Sequence, residues 1–169
     1  FRDAEAIEQL RKIDTLIVDK TGTLTEGRPT YREILTANDF TEDQVLGWAA
    51  SLEQGSEHPL AEAILNESKQ RGQTLAATQD FNSITGQGVQ GKIEGRLLAL
   101  GNQALMTSVG ADIAAVSGAA ELLRKQGASV MFLAVDGRLA GAVAVADRIK
   151  HTTLQALNAL RADGLRIVM

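Results

Sequence analysis

The chain has 169 residues, room for one sizeable domain or two small ones, and its 44% hydrophobic content is ordinary for a folded protein. The formal net charge of −4 argues against a nucleic-acid surface, and the absence of cysteine excludes disulfides and thiolate metal sites. The most apolar stretch, residues 130–146, is interrupted by Asp136, Gly137 and Arg138. It lacks the ~18 uninterrupted apolar residues of a membrane span, so we expect no direct membrane insertion.

Apolar periodicity and turn residues divide the chain into helices and strands. Thr41, with Gln44 three residues on, has the capping-box pattern, and Pro59 has the first-turn position that proline favours. The predicted helices are residues 4–12, 41–52, 60–71, 114–126 and 151–163. The predicted strands are residues 13–18, 31–36, 80–85, 88–94, 96–100, 130–135, 139–145 and 165–169. Tight hairpin turns are expected at Glu94-Gly95 and at Asp136-Gly137.

The order of these elements indicates two architectures. The middle of the chain is rich in hairpins, whereas a helix followed by a strand, as at the end of the chain, is the order typical of a parallel sheet. We predict an antiparallel α+β domain with flanking helices, inserted into a partial parallel α/β domain. The loop predicted at Glu26–Pro29 and the segment after Ala146 mark the boundaries. The outer domain would comprise residues 1–27 and 147–169, and the inserted domain residues 28–146.

The most specific sequence is DKTGTLT, Asp19–Thr25, directly after the first predicted strand, which we expect to be buried. Ligands of open α/β sheets bind beyond the strand ends, so Asp19 is placed to do chemistry. Glycine and small hydroxyl residues supply a tight turn and backbone N–H groups for phosphate oxygens. The alternative, an aspartate that only caps a turn, is disfavoured by the length of the motif.

DKTGTLT resembles the phosphorylation motif of P-type ATPases, whose first aspartate takes the γ-phosphate of ATP. The resemblance implies that Asp19 is a catalytic nucleophile that forms an aspartyl phosphate. It also implies a phosphorylation site formed by Lys20, Thr21 and Thr23, in which Thr23 hydrogen-bonds the transferred group. Mg²⁺ would be bound by the Asp19 carboxylate and the backbone carbonyl oxygen of Thr21. By the same resemblance, the outer domain has the haloacid-dehalogenase-like fold.

Thr21 separates two kinds of enzyme. Soluble phosphatases of the haloacid-dehalogenase superfamily usually carry a second aspartate two residues after the nucleophile, as general acid and base. A threonine cannot serve in that way, so the aspartyl phosphate should live longer, as a pump requires. A truncated soluble phosphatase of that superfamily stays an alternative, as does a nucleotide-binding module without catalysis.

A nucleotide site is expected in the middle of the chain. No Walker-type loop is present, and residues 86–91 form a GxGxxG pattern that no helix follows, which disfavours a dinucleotide-binding fingerprint. The segment SEHPL, Ser56–Leu60, resembles the nucleotide-domain signature of heavy-metal P-type ATPases. That resemblance implies that Glu53 accepts a hydrogen bond from the adenine amino group and that His58 packs against or hydrogen-bonds the base.

Four further residues are carried over from the same resemblance. Gly86 and Gly88 would let the backbone approach the nucleotide, and Gly101 and Asn102 would lie near the ribose and phosphates. Each also has a plainer explanation when taken alone. Glu53 could be a solvated helix-end charge, and His58 a helix N-terminal residue. The glycines and Asn102 could serve only in turns.

The resemblance extends along the whole chain, and residues 52–63 and 128–135 are most similar to copper(I)-exporting members. It implies an ATP-driven ion translocase with ATP and Mg²⁺ as cofactors and Cu(I) bound elsewhere in the parent protein. The partners would be the remaining phosphorylation, actuator and transmembrane domains. The parent would be an integral protein of a bacterial inner membrane, with this part on the cytoplasmic face.

Two segments define how much of the family's machinery we expect here. Asp147–Lys150 resembles the hinge where the chain returns to the phosphorylation domain. After Arg166–Met169 the family continues into TGD and GDGxND motifs, which complete its Mg²⁺ site. We therefore expect the chain by itself to bind ATP weakly, with an incomplete phosphorylation domain and without autophosphorylation.

Overall fold

The computed structural model describes residues 13–37, 39–56 and 58–169. The helix predicted over residues 4–12, and Glu57 of the SEHPL segment, lie outside the described residues. The chain separates into two compact units. One contains the described residues up to Arg28 together with Asp147–Met169, and the other is Pro29–Ala146. Among the described residues, none of the helices has both the length and the apolar character needed to cross a membrane.

The described elements are eight strands and five α-helices with the following bounds, and a turn at Lys20–Leu24 follows the first strand. The strands are β1 Thr15–Ile17, β2 Thr25–Thr36, β3 Gln79–Ile84, β4 Gly88–Ile93, β5 Arg96–Gly101, β6 Ala128–Val135, β7 Arg138–Ile149 and β8 Arg166–Val168. The helices are α1 Glu42–Glu53, α2 Pro59–Gln70, α3 Gln103–Ser108, α4 Ala114–Lys125 and α5 Thr153–Ala162.

The larger unit is built on a six-stranded sheet in the order β2-β7-β6-β5-β4-β3. The pairings from β3 through β7 are all antiparallel. Two buried clusters lie on the two faces of the sheet, one including residues of α1 and α2 and the other residues of α3 and α4. Strand β6 alternates between them, since Leu133 belongs to the first and Phe132 to the second. The predicted antiparallel sheet with flanking helices is confirmed.

Local signals placed most helix and hairpin ends correctly. The capping box at α1 is present, with Thr41 and Gln44 bonding reciprocally. Glu94 and Asp136 both have left-handed backbone and precede a glycine with positive φ, as the two predicted turns require. Helix α3 was not predicted, although Asn102 just before it is a strong helix-capping residue type.

The loop prediction at Glu26–Pro29 was wrong, because these residues belong to the long strand β2. Strand β2 lies at the edge of its sheet. Proline lacks a backbone donor, and an edge strand tolerates that because one of its sides needs no partner. Pro29 is therefore compatible with a strand here, and the proline and glycine of the segment misled the sequence interpretation.

The smaller unit contains a two-stranded parallel sheet in which Leu16 of β1 is opposite Ile167 of β8. Helix α5 precedes β8, as the predicted helix–strand order requires. The expectation that the first strand is buried was wrong, because Ile17 is 79% exposed. Two strands and one helix leave much of the apolar surface of this unit without a covering layer in the described part of the chain.

Candidate nucleotide pocket and phosphorylation loop

One cleft of ≈ 350 Å³ in the larger unit is lined by all six residues expected to bind the nucleotide. They come from the end of α1, the start of α2, the β3–β4 turn, the end of β5 and the start of α3. These residues are Glu53, His58, Gly86, Gly88, Gly101 and Asn102. Six apolar residues that the sequence interpretation missed share the lining. They are Leu60, Ile84, Val89, Leu100, Val130 and Met131.

Glu53 is the least ordinary group in this cleft. It is 4% exposed, and its Oε2 atom has no hydrogen-bond partner in the described part of the chain. Burial raises the pKa of the Glu53 carboxyl, while a hydrogen bond from Ser56 and the charge of His58 oppose the rise. Buried polar atoms are almost always partnered, so this oxygen is exceptional in the described part of the chain. The explanation of Glu53 as a solvated helix-end charge does not fit its burial.

His58 is a helix N-terminal residue, and it also lines the cleft. It caps the N-terminus of α2, where its Nδ1 accepts a hydrogen bond from the Leu60 N–H at 3.2 Å, and Pro59 follows in the first turn. The His58 backbone N–H donates to Ser56 Oγ at 3.2 Å. Because Nδ1 is engaged in this capping bond, Nε2 is the ring nitrogen left for another partner. The capping bond therefore orients the imidazole at the cleft.

The glycines of the cleft are required for two different reasons. Gly86 has φ 71° and open space around the position of a Cβ, so it serves a left-handed turn. A Cβ on Gly88 would lie 2.2 Å from the Leu100 carbonyl oxygen, and one on Gly101 would lie 2.2 Å from the Gln87 carbonyl oxygen. Gly88 and Gly101 are opposite each other on β4 and β5. Close packing of these two strands therefore accounts for both glycines, whether or not a ligand is bound.

Asn102 makes its side-chain hydrogen bonds within the protein. Its Oδ1 accepts from the Leu105 N–H at 3.2 Å and caps α3, and its Nδ2 donates to the Gly86 carbonyl oxygen at 2.8 Å. The Asn102 backbone N–H donates to the Gln87 carbonyl oxygen, also at 2.8 Å. Asn102 thus connects the start of α3 to the turn between β3 and β4.

The DKTGTLT segment forms a wide turn in the smaller unit. Asp19 follows β1 and is exposed, and the Thr25 N–H closes the turn onto the Lys20 carbonyl oxygen. Gly22 has φ 76°, a conformation that favours glycine. The Gly22 N–H donates to Thr25 Oγ1 at 3.1 Å. Thr25 is buried, so the last residue of the motif organises the turn while Asp19 stays accessible.

Residues near the predicted hinge hold this turn. Asp147 Oδ2 lies 2.6 Å from the Thr25 hydroxyl, and its Oδ1 accepts from the Gly27 N–H at 3.0 Å. The Lys150 ammonium donates to the Gly22 carbonyl oxygen at 2.6 Å, and the Thr153 hydroxyl donates to the Leu24 carbonyl oxygen at 2.7 Å. The sequence interpretation assigned Asp147–Lys150 only a hinge role. Two features of the sequence could have indicated this contact. They are the threonine that ends the motif, Thr25, and the aspartate at which the chain returns, Asp147.

The donor chemistry of the turn fits magnesium. A carboxylate on Asp19 and a backbone carbonyl on Thr21 are hard oxygen ligands, and proteins often give Mg²⁺ only one or two such ligands beside phosphate and water. In the described part of the chain, no group of three or more histidine, cysteine, aspartate or glutamate side chains could hold a metal by itself. These residues therefore fit an ion that arrives with phosphate, rather than one enclosed by protein.

Comparisons with known proteins show the family of the chain and proteins of similar fold. The family model of haloacid dehalogenase-like hydrolases matches residues 13–169. The chain is 53% identical, over its full length, to a copper-transporting P-type ATPase from Rhizobium leguminosarum bv. viciae, and it covers 20% of that protein. The chain thus spans about a fifth of the length of this curated relative.

Two solved structures have similar folds. A crystal structure of a zinc-transporting PIB-type ATPase in the E2.Pi state has a TM-score of 0.78 and 28% identity, covering 96% of this chain and 26% of that one. The catalytic domain of the CPx-ATPase CopB-B, described for its conformational changes upon nucleotide binding, has a TM-score of 0.70 and 26% identity. That match covers 98% of this chain and 56% of that one. The chain therefore belongs to the haloacid dehalogenase-like hydrolases and is similar, over its whole length, to heavy-metal P-type ATPases.

Proposed function

We propose that the larger unit binds ATP through its adenine base, and that the chain is the ATP-holding cytosolic part of a copper(I)-transporting P-type ATPase. The observation that carries this proposal is the buried Oε2 atom of Glu53, which has no partner in the described part of the chain, together with the position of Glu53 and His58 on the lining of one cleft. The names of the relatives support the assignment to an ion pump, and the cleft supports the binding of a nucleotide.

Glu53 supplies the specificity in this proposal. Its Oε2 accepts a hydrogen bond from the exocyclic amino group of adenine, which satisfies the atom that lacks a partner. Guanine has a carbonyl oxygen at the matching ring position, and a carboxylate repels it. Leu60, Ile84 and Val130 give the flat base apolar walls, and the His58 ring offers a face or an Nε2 donor. We therefore expect ATP to bind more tightly than GTP.

Asp19 is the proposed nucleophile of the phosphoryl transfer. A carboxylate oxygen of Asp19 attacks the γ-phosphorus, the new O–P bond forms, and the bond between the γ-phosphorus and the β–γ bridging oxygen breaks to release ADP. Lys20 and Thr23 lie beside Asp19 in sequence and would stabilise the transferred group. Magnesium, held by Asp19 and the Thr21 carbonyl, would supply charge neutralisation at the phosphate oxygens. Thr21 cannot act as a general acid, which disfavours a phosphatase.

The transported ion and the partners are proposals of the same kind. The curated relative is named as copper-transporting and a structural neighbour as zinc-transporting, so the names leave both ions to be tested. We propose Cu(I), bound in membrane helices of the parent protein. The remaining phosphorylation, actuator and transmembrane domains would be the partners, and the larger unit would face the cytoplasm.

An NMR titration of the 169-residue chain tests the nucleotide site. Adding ATP should shift the amides of Glu53, Gly86, Gly88 and Gly101 together, and GTP should shift them less at equal concentration. Phosphate alone serves as the control for a purely ionic effect. Shifts confined to α4, or equal responses to ATP and GTP, would contradict the proposed base recognition.

A further inference from the structure

Asn102 lies at the meeting point of three elements of the pocket. It follows β5, it precedes α3, and it contacts the turn Thr85–Gln87, which we call the glycine turn. The glycine turn connects β3 to β4 and is closed by the Gln87 N–H on the Ile84 carbonyl oxygen at 3.0 Å. All three of its residues line the cleft.

We propose that Asn102 is a positioning residue, which fixes the glycine turn as a wall of the pocket and does not itself contact the nucleotide. The proposal rests on the nucleotide-binding function proposed above. Its first support is the direction of the side chain, because both polar atoms of Asn102 are engaged by protein groups, Oδ1 by the Leu105 N–H and Nδ2 by the Gly86 carbonyl.

The second support is that one residue holds two consecutive carbonyl groups of the turn. The Asn102 side chain binds the Gly86 oxygen and its backbone N–H binds the Gln87 oxygen, each at 2.8 Å. A peptide unit is planar, so anchoring a carbonyl also sets the direction of the following N–H. Asn102 therefore sets the orientation of the Gln87 and Gly88 amides on the pocket wall.

The third support is that the turn has few other constraints. Gly86 has a left-handed backbone and nothing within 4 Å of the position of a Cβ, so side-chain packing does not hold it. Glycine also has the largest conformational freedom to lose on ordering. The pair Gly88 and Gly101 brings the strand ends together, and the two bonds from Asn102 then determine how the turn projects beyond them.

Two substitutions separate the two bonds of the side chain. Asn102→Ser retains a helix-capping hydroxyl but is too short to reach the Gly86 carbonyl, whereas Asn102→Ala loses both the cap and the contact with the turn. Gln103→Ser, at the next position and outside the nucleotide cleft, is the control. Each variant is examined in the 169-residue chain by thermal unfolding, by amide NMR without ligand, and by ATP titration.

We expect Asn102→Ser to keep its unfolding midpoint, to shift the Gln87 amide without ligand, and to bind ATP about fivefold more weakly; the Gly88 amide should shift less, because the backbone bond to the Gln87 carbonyl remains. Asn102→Ala should show the same loss of affinity together with a lower midpoint. Weaker binding with an unchanged Gln87 amide would mean direct contact and would overturn the proposal, as would a shifted Gln87 amide with unchanged affinity. Failure of the unmutated chain to bind ATP would remove the proposed function and this inference with it.

Discussion

Replacing Glu53 by glutamine should stabilise the free protein and weaken ATP binding. Glu53 is 4% exposed, and its Oε2 has no partner in the described part of the chain. An unsatisfied buried polar atom costs about 1–3 kcal/mol, and more when it is charged. Glutamine has nearly the same shape without the charge. We therefore expect Glu53→Gln to raise the free energy of unfolding by about 1 kcal/mol, or the unfolding midpoint by roughly 3 °C.

The effect on ligand affinity should have the opposite sign. A hydrogen bond to a charged acceptor contributes about 1 kcal/mol more than one to a neutral acceptor, so ATP should bind roughly five- to tenfold more weakly to Glu53→Gln. Urea unfolding and calorimetric titration with ATP give the two quantities. Glu62→Gln, an exposed carboxylate on α2, is the matched control and should change both by little.

The difference in stability between Glu53→Gln and the parent chain should also depend on pH. Burial raises the pKa of Glu53 in the folded chain, so the folded state binds this proton more tightly than the unfolded state. The ionised carboxyl therefore costs stability above its raised pKa, and that cost disappears as the pH falls through it. The advantage of Glu53→Gln should be largest above the raised pKa of Glu53 and should fade as the pH falls through it. A variant that is less stable than the parent at neutral pH, or that binds ATP equally well, would refute the reasoning.

Three further predictions follow from the site. His58→Ala should lose about 1 kcal/mol of stability with the α2 cap, and weaken ATP binding, whereas His58→Asn should restore only the stability; recovery of affinity by asparagine in titration calorimetry would remove the ring from base binding. Gly88→Ala should cost at least about 2 kcal/mol, because its Cβ would lie 2.2 Å from the Leu100 oxygen, and Gly86→Ala only about 1 kcal/mol; the reverse order in urea unfolding would refute the packing argument. Thr25→Val should speed hydrogen exchange of the Gly22 amide about fivefold, because the Thr25 hydroxyl that accepts from this amide is lost. Thr23 is exposed, and Thr23→Val should leave the exchange rate unchanged. Equal rates in the two variants would show that Thr25 does not organise the turn.

Local features were predictable because they depend on neighbouring residues. The capping box at Thr41 and the turn at Glu94 require only the residues within a few positions, and both are present. Helix α3 has six residues, too short for an apolar period to show. Ile17 has the sequence of a buried strand, and its exposure depends on which layers cover β1, which no local pattern contains.

Which residues line the candidate site was predictable from the resemblance, whereas the contacts that hold those residues in place were not. Glu53 and His58 were expected in the pocket, but the missing partner of Glu53 Oε2 follows from burial in three dimensions. The bond from Asn102 to Gly86 spans 16 residues, and the one from Thr25 to Asp147 spans 122. Such contacts depend on strand pairing and on the return of the chain, so the spacing of residues in the sequence cannot reveal them.

The position of the adenine base is the most direct test of the account. In the ATP-saturated chain, intermolecular NOEs should connect the adenine H2 and H8 protons to the methyl groups of Leu60, Ile84 and Val130, which line the cleft beside Glu53. The same NOEs should weaken at equal ATP concentration in Glu53→Gln. NOEs from the base to α4 instead, or none at saturation, would contradict the placement of the nucleotide in this pocket.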